Sequence, residues 1–151
     1  MTIAPPVAPR HCKDTGRHTL KQERSNPAAL AKLATSNHFS SAVRVGNTIW
    51  LSGTVGIGPD RKPAEGMTAQ ARVAFEHLNN ALIAAGAALG DVVELVTYHT
   101  DLQRDMTAFF AIKDEFFPKN YPAWTAVGVT QLAYPGLLVE IRAVAVVGSG
   151  H

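Results

Sequence analysis

The sequence predicts an α+β fold: a mixed sheet with two helices packed on one face. Three observations predict it. Leu137–Val147 (LLVEIRAVAVV) alternates strictly, with Val139, Ile141, Ala143, Ala145 and Val147 on one side and Glu140, Arg142, Val144 and Val146 on the other. Met67–Ala85 repeats apolar residues at helical spacing, with Ala71, Phe75, Leu78, Leu82 and Ala85 on one stripe. The elements between and around these two run in the order β-β-α-β-α-β-β.

Residues 1–37 are Pro-rich and then polar, and are read as a partly irregular N-terminal arm in which Asn26–Leu33 forms a short helix with Pro27 in its first turn. Residues 38–148 form the domain. Phe39–Gly46 and Thr48–Gly53 are strands joined by Gly46-Asn47, the composition of a tight hairpin turn. The Gly- and Pro-containing stretch from Gly53 to Gly66 is a loop. Thr68 is placed to cap the long helix, and Gly86 and Gly90 mark its end. Asp91–Thr100 is β-branched and apolar on both sides, which suits a strand covered on both faces. Asp101–Asp105 is read as a connector, and Met106–Phe117 as a second helix that Pro118 ends. Tyr121–Gln131 is a further strand, with Trp124, Ala126 and Gly128 on one side and Thr125, Val127 and Val129 on the other. Two helices cover only one face of this sheet. The other is apolar enough to need a cover, since burial is worth roughly 25 cal/mol per Å². The expected cover is a second copy of the chain.

Composition narrows the function classes. The chain has 151 residues, 46% hydrophobic and 17% charged, with a formal net charge of +2. Lys and Arg are scattered, so no stripe tracks a phosphate backbone and nucleic-acid binding is not expected. One cysteine, Cys12, excludes an internal disulfide and a cysteine-based zinc cage, and is read as an incidental thiol. The six histidines lack metal-ligand spacing, so no metal is expected. Gly56-x-Gly58 lies in a long loop without the fingerprint of a nucleotide site. No stretch approaches the ~20 apolar residues of a membrane span, and the N-terminus lacks a secretory core. The expectation is a soluble cytoplasmic protein without a membrane partner.

Phe39–Asn47 (FSSAVRVGN), Leu51-Ser52-Gly53, Gln70, Asp91-Val92-Val93, Thr100-Asp101, Phe116-Phe117, Pro122-Ala123 and Val139–Ala145 (VEIRAVA) fall in the order and spacing of the YjgF/RidA, or L-PSP endoribonuclease-like, family. The resemblance spans about Phe39 to Val147. It implies a chorismate-mutase-like fold, a homotrimer, and ligand clefts between subunits. It also implies hydrolysis of reactive enamines and imines, such as 2-aminoacrylate, to a keto acid and ammonia, with no metal or organic cofactor. Older descriptions of the family use the terms endoribonuclease and translation inhibitor.

The family's carboxylate-binding arginine, two residues after a proline, corresponds here to Trp124, so the chain resembles a subgroup lacking that arginine. Indole offers one N–H donor and no charge. Phe39 stands where a tyrosine is usual, and Ala126 where a cysteine sometimes occurs. Glu140 matches the acid that positions the attacking water. Ser52, Gly53 and Thr54 match the segment that lines the cleft.

Each candidate also has a structural reading. Glu140 is a catalytic acid/base or an interface carboxylate paired with Arg142, roughly 7 Å along the same strand face. Arg142 is a substitute carboxylate anchor or that structural partner. Trp124, with Phe39, is a stacking platform for a planar ligand or a filler of the cleft or interface. His99 is a titrating base or a buried, hydrogen-bonded histidine. The functional expectation is a hydrolytic deaminase of an enamine, imine or related small metabolite with specificity altered by Trp124. The alternative is a non-catalytic trimeric binding or interaction module.

Overall fold

A computed structural model describes residues 20–150, so Cys12 and His151 lie outside the described residues. The strands are β1 (Gln22–Ser25), β2 (Ala42–Val45), β3 (Thr48–Leu51), β4 (Thr54–Val55), β5 (Val92–His99), β6 (Ala123–Gly128) and β7 (Val139–Val146). The helices are α1 (Ala31–Ser36), α2 (Gly66–Ala84) and α3 (Leu102–Phe116). The sheet runs β1-β2-β3-β7-β5-β6, and β4 also pairs with β7. β5 and β6 are parallel, joined by the α3 crossover; every other pairing is antiparallel. The sheet is therefore mixed, as the order of elements predicts.

The hairpin at Gly46-Asn47 forms, with Val45 opposite Thr48. Gly46 takes φ 61°, a conformation glycine adopts without steric cost. Five local expectations change. The stretch read as a loop from Gly53 to Gly66 holds the short strand β4, and the helix read over Asn26–Leu33 runs instead over Ala31–Ser36. The arm contributes β1, which extends the sheet by pairing with β2. α2 begins at Gly66 after Glu65, with no side-chain cap, and Thr68 falls inside its first turn. α3 begins four residues earlier than its apolar stripe, at Leu102, because the Asp101 side chain accepts the Arg104 N–H at 3.2 Å. What looked like a connector is a capped first turn.

α2 and α3 pack on one face of the sheet. Phe75, Leu78 and Leu82 from α2 and Phe109 and Ile112 from α3 are buried against Ile49, Leu95, Val139, Ile141, Ala143 and Ala145. Phe75 stacks on Phe116 with ring centroids 4.9 Å apart. Along β7 every second residue is buried, and Glu140, Arg142, Val144 and Val146 alternate with them on the opposite, uncovered face. Across that face Val43, Trp50 and Val144 stand in register on β2, β3 and β7. Trp50 is 43% exposed there.

Candidate functional site

β7 brings Glu140 to the uncovered face, and neighbouring strands build a pocket around it. Tyr98 on β5 lies directly opposite Glu140. On the other side β4 pairs Val55 with Glu140, which places Gly53, just before β4, against the carboxylate. A Cβ at Gly53 would overlap the Glu140 carboxyl group, so any other residue there would displace that side chain. The pocket is open and has a volume of about 520 Å³. Gly53, Tyr98, Glu140 and Arg142 form its floor on the sheet, and Val129, Gln131, Leu132 and Ala133 form its wall.

Glu140 is partly buried, and this burial pushes its pKa up from the ordinary carboxylate value. No hydrogen bond or ion pair offsets the cost among the described residues. The pairing of Glu140 with Arg142 does not form. Arg142 Nη1 instead lies 3.5 Å from Glu94 Oε1, with both side chains well exposed. Ion pairs of this kind contribute little, so the guanidinium remains available to a ligand.

The other candidates divide. Of Ser52-Gly53-Thr54, Gly53 lines the pocket while the flanking hydroxyls serve the backbone. Ser52 Oγ donates to Ser40 O at 2.7 Å. Thr54 Oγ1 lies 2.9 Å from Ala74 O and 3.2 Å from Ile141 O, tying β4 to α2 and β7. Phe39 is exposed at the end of α1, with its N–H bonded to Ala34 O, and does not line the pocket.

Trp124 pairs with Leu95, a core residue, and so faces the helices rather than Glu140. Its indole N–H donates to Thr97 Oγ1 at 3.0 Å. Its ring meets Phe110 edge-on at 5.1 Å, and the Lys113 ammonium sits 5.2 Å from its centroid. In this chain, Trp124 does not share the Glu140 pocket. His99 is fully buried beside Phe109, with Nε2 2.9 Å from Thr97 Oγ1. Desolvation lowers its pKa and outweighs the opposing pull of Asp105, so the ring is neutral and sits in the core. For both residues the structural reading is the one observed, and for one reason: positions 97, 99 and 124 fall in the helix-facing phase of their strands.

Tyr98 was not among the candidates read from the sequence. The sequence reads Asp91–Thr100 as a strand covered on both faces, whereas β5 buries Leu95, Thr97 and His99 on one side and turns Tyr98 to the uncovered one. The wall residues come from the loop after β6, which has no periodicity to read.

Residues 29–147 match the family model described as Endoribonuclease L-PSP. The chain is 37% identical over 120 residues to the RutC family protein YjgH of Escherichia coli, covering 79% of this chain and 90% of that protein. A solved structure of YjgH superimposes with a TM-score of 0.76 at 35% identity, over 83% of this chain and 96% of that one. The human 2-iminobutanoate/2-iminopropanoate deaminase is 32% identical over 112 residues, 73% of this chain and 80% of that protein. A structure of E. coli TdcF with bound serine matches at TM-score 0.67 and 27% identity, covering 72% and 87% of the two chains. The match over nearly the whole folded chain, on the same sheet and helices, makes this protein a member of the YjgF/RidA family.

Proposed function

We propose that this chain is a hydrolytic deaminase of an enamine, imine or related small metabolite, acting through Glu140 and water. The observation that carries the reading is Glu140 itself: a partly buried carboxyl group with a raised pKa and no hydrogen-bond or ion-pair partner among the described residues, open to a pocket that also holds a guanidinium. A buried acid without a partner costs stability, and functional sites are where such costs are found. Relatives named as 2-iminobutanoate/2-iminopropanoate deaminases support the reaction class.

The chemistry needs one proton shuttle used twice. An enamine first tautomerises to its imine. Water then adds to the imine carbon; Glu140 takes a proton from the water oxygen and delivers it to nitrogen, giving a carbinolamine. In the second half Glu140 takes the hydroxyl proton and passes it to the amine. The C–N bond breaks with its electron pair on nitrogen, and a carbonyl compound and ammonia leave. A carboxyl group with a raised pKa suits both duties near neutral pH. With Trp124 turned to the helices, Arg142 is the cation at hand for a substrate carboxylate. On this reading the chain belongs to a subgroup that works without the family's arginine. The uncovered sheet face, with Val43, Trp50 and Val144 in register, is the surface on which a homotrimer would close and complete the pocket.

The test feeds the purified protein 2-aminoacrylate or 2-iminobutyrate generated in situ and follows keto acid and ammonia. Acceleration that Glu140→Gln abolishes is expected. No acceleration over buffer would reject imine deamination. One observation favours the alternative, a binding module without chemistry: the position of the family's arginine supplies no charge to the pocket. Saturable binding of a keto acid without turnover would select that alternative.

A further inference from the structure

We infer that Tyr98 contacts the substrate: its phenol and the Arg142 guanidinium together hold the carboxylate of a 2-imino acid whose C=N carbon faces Glu140. The inference rests on the hydrolase reading for the fate of the bound molecule, but not for its binding.

The polar side chains near the pocket differ in what they bond. Ser52 and Thr54 spend their hydroxyls on backbone carbonyls. Gln131, on the wall, is exposed and makes no side-chain hydrogen bond among the described residues. Tyr98 and Glu140 make no hydrogen bond or ion pair there either, and both rise from the sheet into the same cavity. They are also direct cross-strand partners, β5 to β7. Opposed residues on one face of an antiparallel pair have Cβ atoms about 5 Å apart. Arg142 lies on the same face one row away, opposite Val96, and therefore diagonal to Tyr98. Diagonal neighbours at about 7–8 Å remain within reach of long and aromatic side chains.

These three groups form a triangle with distinct chemistry at each corner. Glu140 accepts and returns a proton. Arg142 offers a forked set of N–H donors with a fixed positive charge. Tyr98 offers one O–H donor on a rigid ring. The complement is a ligand with two anionic oxygens next to an electrophilic carbon, the pattern of a 2-imino acid and of its 2-keto acid product. A neutral imine would leave the Arg142 and Tyr98 donors unused. The Tyr98 ring, flanked by Val127 on β6, also gives the ligand an apolar surface.

Binding and turnover are measured separately. Calorimetric titration with 2-ketobutyrate is run on the wild type, Tyr98→Phe and Arg142→Met, alongside turnover of 2-iminobutyrate. Phe keeps the ring and removes only the donor. Tyr98→Phe is expected to weaken 2-ketobutyrate binding about 5- to 20-fold, as loss of one hydrogen bond to a charged group does. It should raise KM by a similar factor while leaving kcat and Tm essentially unchanged. Arg142→Met should weaken binding further. If the wild type binds 2-ketobutyrate but turns over no imine, the hydrolase reading fails while the Tyr98 contact is still decided by the ratio of Kd values. Equal Kd for wild type and Tyr98→Phe, or no wild-type binding at millimolar ligand, overturns the inference.

Discussion

Glu140 links chemistry to stability. Its pKa is raised by burial in the folded chain, so the folded state holds this proton more tightly than the unfolded state does. The favourable contribution of the protonated group is complete below the unfolded pKa, and is lost as pH rises through the folded one. Above that point the folded protein carries a desolvated charge with no partner among the described residues. Glu140→Gln keeps the shape and removes the charge. The variant is expected to melt above the wild type at neutral pH, with the difference shrinking toward acid. Thermal melts of the two proteins across this range measure it. A melting temperature lower than wild type at pH 7 would mean that Glu140 has a stabilising partner. At this scale the sequence showed which residues carry charge on β7, because a strand buried on one face leaves its acid and base in plain alternation. It did not show which side of β6 faces the helices. β6 is an edge strand whose two sets, Trp124-Ala126-Gly128 and Thr125-Val127-Val129, are similarly apolar, and only the pairing of Trp124 with Leu95 decides between them.

At the level of elements, the chain that enters β7 is held by a residue that never reaches the pocket. Gln70, on α2, is 2% exposed. Its Nε2 donates to Ala64 O at 3.0 Å and Gly136 O at 2.8 Å, and its Oε1 accepts from Leu138 N at 2.8 Å. One amide thus fixes the loop before α2 and the chain entering β7, two residues before Glu140. Gln70→Leu fills the space but strands these backbone groups, and is expected to cost about 1–3 kcal/mol in denaturant unfolding. Gln70→Glu should fail as well, since an ionised carboxylate faces two carbonyl oxygens. Unfolding free energies equal to wild type for both variants would show that water replaces the amide. Elements were legible where periodicity was long, as in α2 and β7. They were missed where a cap or a partner decides: α3 gained its first turn from Asp101, and β1 exists because β2 has an open edge.

For the whole molecule, the proposed trimer rests on the contrast between the two sheet faces. One carries two helices; the other presents Val43, Trp50 and Val144 in a row, with Val127 37% exposed on the far edge. A charge in the middle of that row should oppose any assembly that buries it. Trp50→Arg is expected to lower the mass in sedimentation or light scattering to that of one chain, with helix content kept. An unchanged mass would mean that copies meet elsewhere. The uncovered face was legible from the sequence because two helices cannot wrap such a sheet, whereas the number of copies is a property of packing between chains and leaves no periodic trace in one of them.

The chain has two tryptophans, and the sheet lies between them. Trp50 looks outward from β3, while Trp124 is held under Lys113 and Phe110 with its N–H fixed to Thr97. Their emission therefore reports two different events. Dilution that separates copies shifts the Trp50 component to the red and leaves the Trp124 component in place. Denaturant releases both. A single fluorescence spectrum, followed against concentration and then against urea, separates dissociation from unfolding without any added label.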